Sequence, residues 1–189
     1  VPLLVCVALA VGLYFQWPAS ANTSVSWVVS KAPKGQKSLI TLADGSRIFL
    51  NSASSISYPE TFDTDKREIR LSGEAFFEIA RNEKKPFIVY TGDVVTQVLG
   101  TSFNIEAFEG EATRVTVATG KVQVEVASNA TNVAPNQVIL IPGQQAVYDE
   151  AQGLSSVQVD PQPFMAWKSH TLYFDNSSLE EVAVHLERW

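Results

Sequence analysis

The chain is poor in the residues that most often do chemistry. One cysteine, one methionine and two histidines are spread over 189 residues. Cys6 sits in an apolar stretch, so neither an intrachain disulfide framework nor a thiolate zinc site can be built. His170 and His185 lie outside any HExxH spacing and away from clustered carboxylates, so no metal is expected and both read as solvent-exposed histidines. No cofactor motif is present. Positive charge is also scarce. The formal net charge is -6 and Lys and Arg form no run, which argues against nucleic acid or an anionic lipid surface as partner.

What is abundant is apolar sequence, 46% of the chain. That is enough for one real core and the start of a second. It begins at once: VPLLVCVALAVGLYFQW carries no charge, and its apolar run of about fifteen residues would span roughly 23 Å as a helix against about 30 Å of hydrocarbon. Two readings fit. One is a transmembrane helix over 1–17 with Tyr14, Phe15 and Trp17 at the exit interface; the other is a secretory signal peptide cut after Ala19-Ser20-Ala21. Leu3-Leu4-Val5-Cys6 makes a poor lipidation box. Either way, with no Lys or Arg before Lys31, residues from about 20 onward are placed outside the cytoplasm. The chain starts at Val1 and stops within a helical pattern, so it reads as a fragment at both ends.

Residues 18–37 read as a linker rich in Pro, Ser, Thr and Ala, with SWVVS its one strand-like stretch. Period-two alternation then takes over. In REIRLSGEAFFEIA, Ile69, Leu71, Ala75, Phe77 and Ile79 share one face and Glu68, Arg70, Ser72, Glu74 and Glu78 the other, as a half-buried strand pair broken at Gly73. Asp44-Gly45 and Thr119-Gly120 each stand between apolar runs and predict tight hairpins. For the second, Val117 would face Val122, Val115 would face Val124 and Arg114 would face Glu125. FIVYTG, VVTQVL, SFNIEAF, QVILIPG, QAVYDE and SVQVD add short strands. The spacing predicts a mainly β fold, a β-sandwich or jelly-roll-like domain over 38–160. From residue 170 the pattern changes: Leu172 to Phe174 reads as a short strand, then Leu179, Val182, Ala183 and Leu186 recur at helical spacing behind a Ser177/Glu180 capping box. A truncated α/β module is therefore expected over 170–189.

Catalytic readings are weak. Ser102 lacks the G-x-S-x-G elbow and a histidine base. Glu74 and Glu78 would suit glycosidase chemistry, but the alternation places them on a solvated polar face. QVLGTSFNI (97–105) leaves one question. Gly100 either bends a strand, with Thr101 and Ser102 bonding the corner, or presents its carbonyl to the Thr101 hydroxyl in a strained turn.

TLADGSRIFLNSASSISYP, LSGEAFFEIARNEKKPFIVYT, VLGTSFNI, GKVQV and PGQQAVY occur in an order that resembles FecR-type regulators, the single-span anti-sigma factors of cell-surface signalling. The likeness runs from about 34 to 148. AWKSHTLYFDNSSLEEVAVHLERW is similar to the opening of the small α/β domain that ends one branch of that family. The resemblance implies a transmembrane span at 1–17, an inner-membrane location with most of the chain periplasmic, and no enzymatic activity beyond self-cleavage at Gly100-Thr101, known for some FecR-like regulators. It implies the signalling domain of a TonB-dependent outer-membrane transducer as partner, met by Leu172, Tyr173, Phe174, Leu179 and Val182. A sigma factor would be held only through a cytoplasmic segment preceding Val1. The rival expectation is a secreted jelly-roll carbohydrate-binding module or enzyme, stacking sugars on Trp27 or Phe76.

Overall fold

The computed structural model describes residues 26–127, 137–174 and 177–189. The expected span 1–17 and the Ala19-Ser20-Ala21 site lie outside these residues. No helix among the described residues is long and apolar enough to cross a membrane.

The mainly β fold is present. The strands are β1 (Trp27–Ala32), β2 (Ser38–Thr41), β3 (Arg47–Leu50), β4 (Ser54–Pro59), β5 (Arg67–Glu78), β6 (Phe87–Thr91), β7 (Val94–Val98), β8 (Ser102–Ala107), β9 (Thr113–Thr119), β10 (Val122–Val126), β11 (Gln137–Leu140), β12 (Gln144–Asp149) and β13 (Gly153–Gln158). A 3-10 helix (Pro163–Ser169) and helix α1 (Leu179–Arg188) follow. The strands form two sheets that share β5. The first runs β11-β10-β7-β6-β5-β4-β1 and the second β2-β3-β5-β8-β9-β12-β13. Inward residues of both merge into one core, in which Phe77 stacks on Phe103 at 4.9 Å between ring centroids and lies 6.5 Å from Phe87 of the other sheet.

The REIRLSGEAFFE stretch is one continuous strand rather than a pair broken at Gly73. Arg67 to Ser72 belong to the first sheet and Gly73 to Glu78 to the second. Gly73 is the crossing point: its φ is +94°, and a Cβ there would come within 2.7 Å of Ser54 Cβ. Only glycine allows the strand to bend this close to β4.

The predicted β9–β10 hairpin does not form. β9 pairs with β8 and β12, and β10 with β7 and β11. Val115, Val117, Val122 and Val124 all face the core, but from opposite sheets. Gly120, at φ +79°, turns the chain out of one sheet into the other, and Arg114 pairs with Glu106 instead of standing across from Glu125. The tight two-residue hairpin lies at Gly92-Asp93, with Thr91 facing Val94. At Asp44-Gly45 a turn is present but wider, with Ala43, Asp44 and Gly45 enclosed by the Leu42–Ser46 hydrogen bond of 2.9 Å.

That wider turn anchors a buried ion pair. Arg67, 2% exposed, donates to Asp44 Oδ2 at 2.6 Å, to Ala80 O at 3.0 Å and to Lys85 O at 2.9 Å. It thereby ties the β2–β3 turn to the return loop 79–86, which brings β6 back parallel to β5. Burial pushes the Asp44 carboxyl up, but hydrogen bonds from Arg67 and Ser46 outweigh it and hold the pKa below its usual value. Trp27–Ala32, which includes most of the strand-like SWVVS stretch, pairs along β4 and forms an edge of the first sheet.

Candidate functional site

Two places carry unusual chemistry. The first is the Gly100-Thr101 corner between β7 and β8. Gly100 has φ +156°, and a Cβ there would stand 2.5 Å from Arg81 Cα. Thr101 is buried, and its hydroxyl has no hydrogen-bond partner among the described residues. The backbone around it is held firmly: Ile79 N donates to Thr101 O at 3.0 Å, Asn82 N to Leu99 O at 2.7 Å and Ser102 N to Thr119 Oγ1 at 3.0 Å. Gly120 completes the enclosure, since a Cβ there would lie 2.6 Å from Thr101 Cγ2 and 3.3 Å from Gly100 O. GTS and GKV, separate motifs in the sequence, thus form one site. A buried hydroxyl without a partner carries a desolvation cost, which makes this group an exception in a folded protein.

The second place is the outer face of the second sheet, expected to be solvated. It is covered by the C-terminal segment. Trp167, from the 3-10 helix, is buried against the sheet, with its Nε1 3.4 Å from Asn104 Oδ1. Asn104 in turn donates to Glu74 Oε1 at 2.9 Å, and Asn51 donates to Glu74 Oε2 at 2.6 Å. Although Glu74 as a residue is only half-buried, its carboxylate is enclosed, and burial together with the nearby Glu106 pushes its pKa up to about 7. Lys168 Nζ lies 3.7 Å from the Phe76 ring centroid and 3.2 Å from Glu78 Oε1. Lys37 Nζ donates to Trp167 O at 2.7 Å and lies 3.6 Å from the Trp189 ring centroid. At the far end, Arg188 pairs with Glu111, and its carbonyl accepts from Gly35 N at 3.1 Å and from Ser52 Oγ.

This covering removes Phe76 as a sugar-stacking surface. Trp27 remains partly exposed, with the Arg70 guanidinium 4.7 Å from its ring centroid. The signal for a covered face was present: Phe49 and Phe76 break the alternation by placing aromatics outward on neighbouring strands.

The five residues expected to meet a partner form no strand-and-helix platform, although the Phe174 ring lies 6.0 Å from that of His185 in helix α1. Residues 171–174 take no regular structure. No other strand lies beside them among the described residues, and an isolated strand has nothing to bond its backbone groups. Helix α1 begins at Leu179, so Ser178 rather than Ser177 takes the cap position, its carbonyl accepting from Val182 N at 3.0 Å. Tyr173, Phe174 and Leu179 are exposed, Leu179 at 88%, while Leu172 and Val182 are half-buried. No group of His, Cys, Asp and Glu able to hold a metal occurs among the described residues.

The fold and these sites define a mainly β domain whose terminal segment folds back on it. The family model described as FecR protein matches residues 29–123. Two crystal structures of a protein from Parabacteroides distasonis ATCC 8503, provisionally assigned as an anti-sigma factor, are similar to it. One, at 2.50 Å, has a TM-score of 0.78 with 33% identity, covering 86% of this chain and 74% of that one. The other, at 1.65 Å, has a TM-score of 0.77 with 33% identity, covering 85% and 74%. No curated protein sequence matches the chain. The chain belongs to the FecR family and is a FecR-type anti-sigma factor.

Proposed function

We propose that the chain is the extracytoplasmic part of a single-span regulator that relays the occupied state of a TonB-dependent outer-membrane transducer to an extracytoplasmic-function sigma factor. In this reading residues 1–17 span the inner membrane, 18–26 link the span to the body, 27–160 form the periplasmic β domain, since the expected linker 18–37 contributes the edge strand β1, and 170–189 open the partner-binding module. A cytoplasmic segment before Val1 holds the sigma factor. The observation that carries the reading is membership of the FecR family combined with a terminal segment that exposes Tyr173, Phe174 and Leu179. Leu172 to Phe174 are the residues a strand of the transducer's signalling domain would augment. In cells, a sigma-dependent reporter driven by the full-length regulator should respond to transducer occupancy and lose that response when Tyr173 and Phe174 are both replaced by Asp. An unchanged response would exclude this surface.

The Gly100-Thr101 corner supports a self-cleavage step within the same relay. Thr101 Oγ1 attacks the Gly100 carbonyl carbon, and the Thr101 amide nitrogen leaves as an amine, taking up the hydroxyl proton. Water then hydrolyses the ester to a Gly100 carboxylate and a free Thr101 hydroxyl. The two pieces remain joined through β5–β8 and β7–β10 pairing until pulled apart. Denaturing gels should show two fragments meeting at residue 100, and Thr101→Ala should give one band. A single band in the parent protein would leave the corner purely structural.

A further inference from the structure

The second sheet ends at β2, which pairs with β3 and with no other strand among the described residues. Along this edge runs a cavity of about 350 Å³ lined by residues that include Lys37, Leu39, Phe49, Trp167, Lys168 and His170. No acidic side chain lines it. On a chain of formal net charge -6 this is a local reversal of sign. Lys37 is the notable group: burial lowers its pKa, its hydrogen bond goes to the Trp167 carbonyl, and it forms no ion pair among the described residues. Leu39, two positions on and so on the same face of the strand, is 56% exposed.

We propose that the β2 edge and this cavity form a docking surface for an extended acidic peptide segment of another protein, added to the sheet as one more strand. The edge supplies backbone hydrogen bonds. An added strand sends alternate side chains to each face. Those on the inner side would cover the rim of the core at Ile40, which favours apolar residues. Those on the outer side would approach Lys37 and Leu39 at the mouth of the cavity, where a carboxylate would give the Lys37 ammonium the direct ion-pair partner it lacks among the described residues, Glu74 acting on it only at longer range. A basic or neutral peptide gains the backbone bonds but leaves Lys37 without an ion-pair partner, Lys168 being already paired with Glu78. The strand edge is supplied by residues 38–41 and its test needs no transducer, so its failure is distinguishable from failure of the relay.

The probe is a fluorescein-labelled hexapeptide of alternating Val and Glu, with alternating Val and Lys as control. It is titrated against the purified chain in detergent by fluorescence anisotropy at low and at physiological salt. The expected results are saturable binding of the Glu peptide, weakening with salt, and binding at least about tenfold weaker for the Lys peptide. Lys37→Gln should weaken the Glu peptide about fivefold or more. Leu39→Pro, which removes a backbone donor at an edge position where proline is tolerated, should weaken both peptides. Circular dichroism should show both variants folded, and Leu39→Lys, which keeps the donor while adding charge against the control peptide, serves if the proline variant is not. Equal affinity for the two peptides, no binding of the Glu peptide, or indifference to Lys37→Gln would overturn the proposal.

Discussion

Gly45 and Gly120 offer a matched pair for testing how the Gly100-Thr101 corner is packed. Their φ angles are nearly equal, +84° and +79°. An alanine at either must adopt a left-handed conformation, at about 1 kcal/mol. The surroundings differ. A Cβ on Gly45 meets nothing within 4 Å, whereas one on Gly120 meets Thr101 Cγ2 at 2.6 Å. Thr101 is buried, so its methyl has little room to withdraw, and overpacking of this kind adds about 1–3 kcal/mol. Gly45→Ala should therefore cost about 1 kcal/mol and Gly120→Ala about 2–4 kcal/mol. For a domain of this size, that corresponds to Tm losses of about 2–4 °C and 4–16 °C. Calorimetry or thermal circular dichroism reads both. Thr101→Ser removes the opposing methyl and keeps the hydroxyl, so in that background the excess cost of Gly120→Ala should shrink to what the 3.3 Å contacts with Gly100 O and the Cβ of residue 101 impose, a coupling that a double-mutant cycle isolates. Equal costs in the wild-type background, or no coupling to Thr101→Ser, would refute the enclosed corner.

Asp44→Ala should destabilise the fold by about 3–5 kcal/mol, because it leaves the buried Arg67 guanidinium uncompensated; urea denaturation measures it, and a loss below about 1 kcal/mol would show the pair to be dispensable. The same pair gives an acid limit: with its folded pKa below its unfolded value, Asp44 contributes stability above pH 3.8 that is lost as pH falls through the folded pKa. Glu74 acts in the opposite sense. Its folded pKa, about 7 against 4.5 unfolded, means that the folded chain keeps a proton the unfolded chain has released. Its contribution is therefore complete below pH 4.5 and is lost as pH rises to about 7, by on the order of 1–3 kcal/mol. Denaturation midpoints at pH 5 and pH 8 should show this slope, and Glu74→Gln should flatten it; a slope unchanged by Glu74→Gln would place the titration elsewhere.

How much of this was legible in the sequence depends on what alternation encodes. Period two tells which face of a strand is buried, and it placed Ile69, Leu71, Ala75, Phe77 and Ile79 on the buried face correctly. It does not say which strand lies alongside. For β9 and β10 the inward valines fit a hairpin as well as they fit two strands on opposite sheets, and only the packing of Gly120 against Thr101 decides. A similar limit hid the covered outer face. Glu74 in a polar phase looks solvated until a distant Trp167 lands on its neighbour Asn104. The clue was local, the consecutive Ala75-Phe76-Phe77, which no one-sided strand needs. At the C-terminus the helix was legible from its spacing, whereas the Leu172 to Phe174 strand was not realised because strand structure requires a neighbour.

The central claim is that the terminal module receives a transducer. Isothermal titration of the regulator's complete extracytoplasmic portion with the isolated signalling domain of a TonB-dependent transducer from the same cell tests it most directly. The account predicts saturable binding at one-to-one stoichiometry that Tyr173→Asp with Phe174→Asp abolishes while the β domain keeps its melting temperature. No heat of binding at any concentration, or binding indifferent to those substitutions, would contradict it.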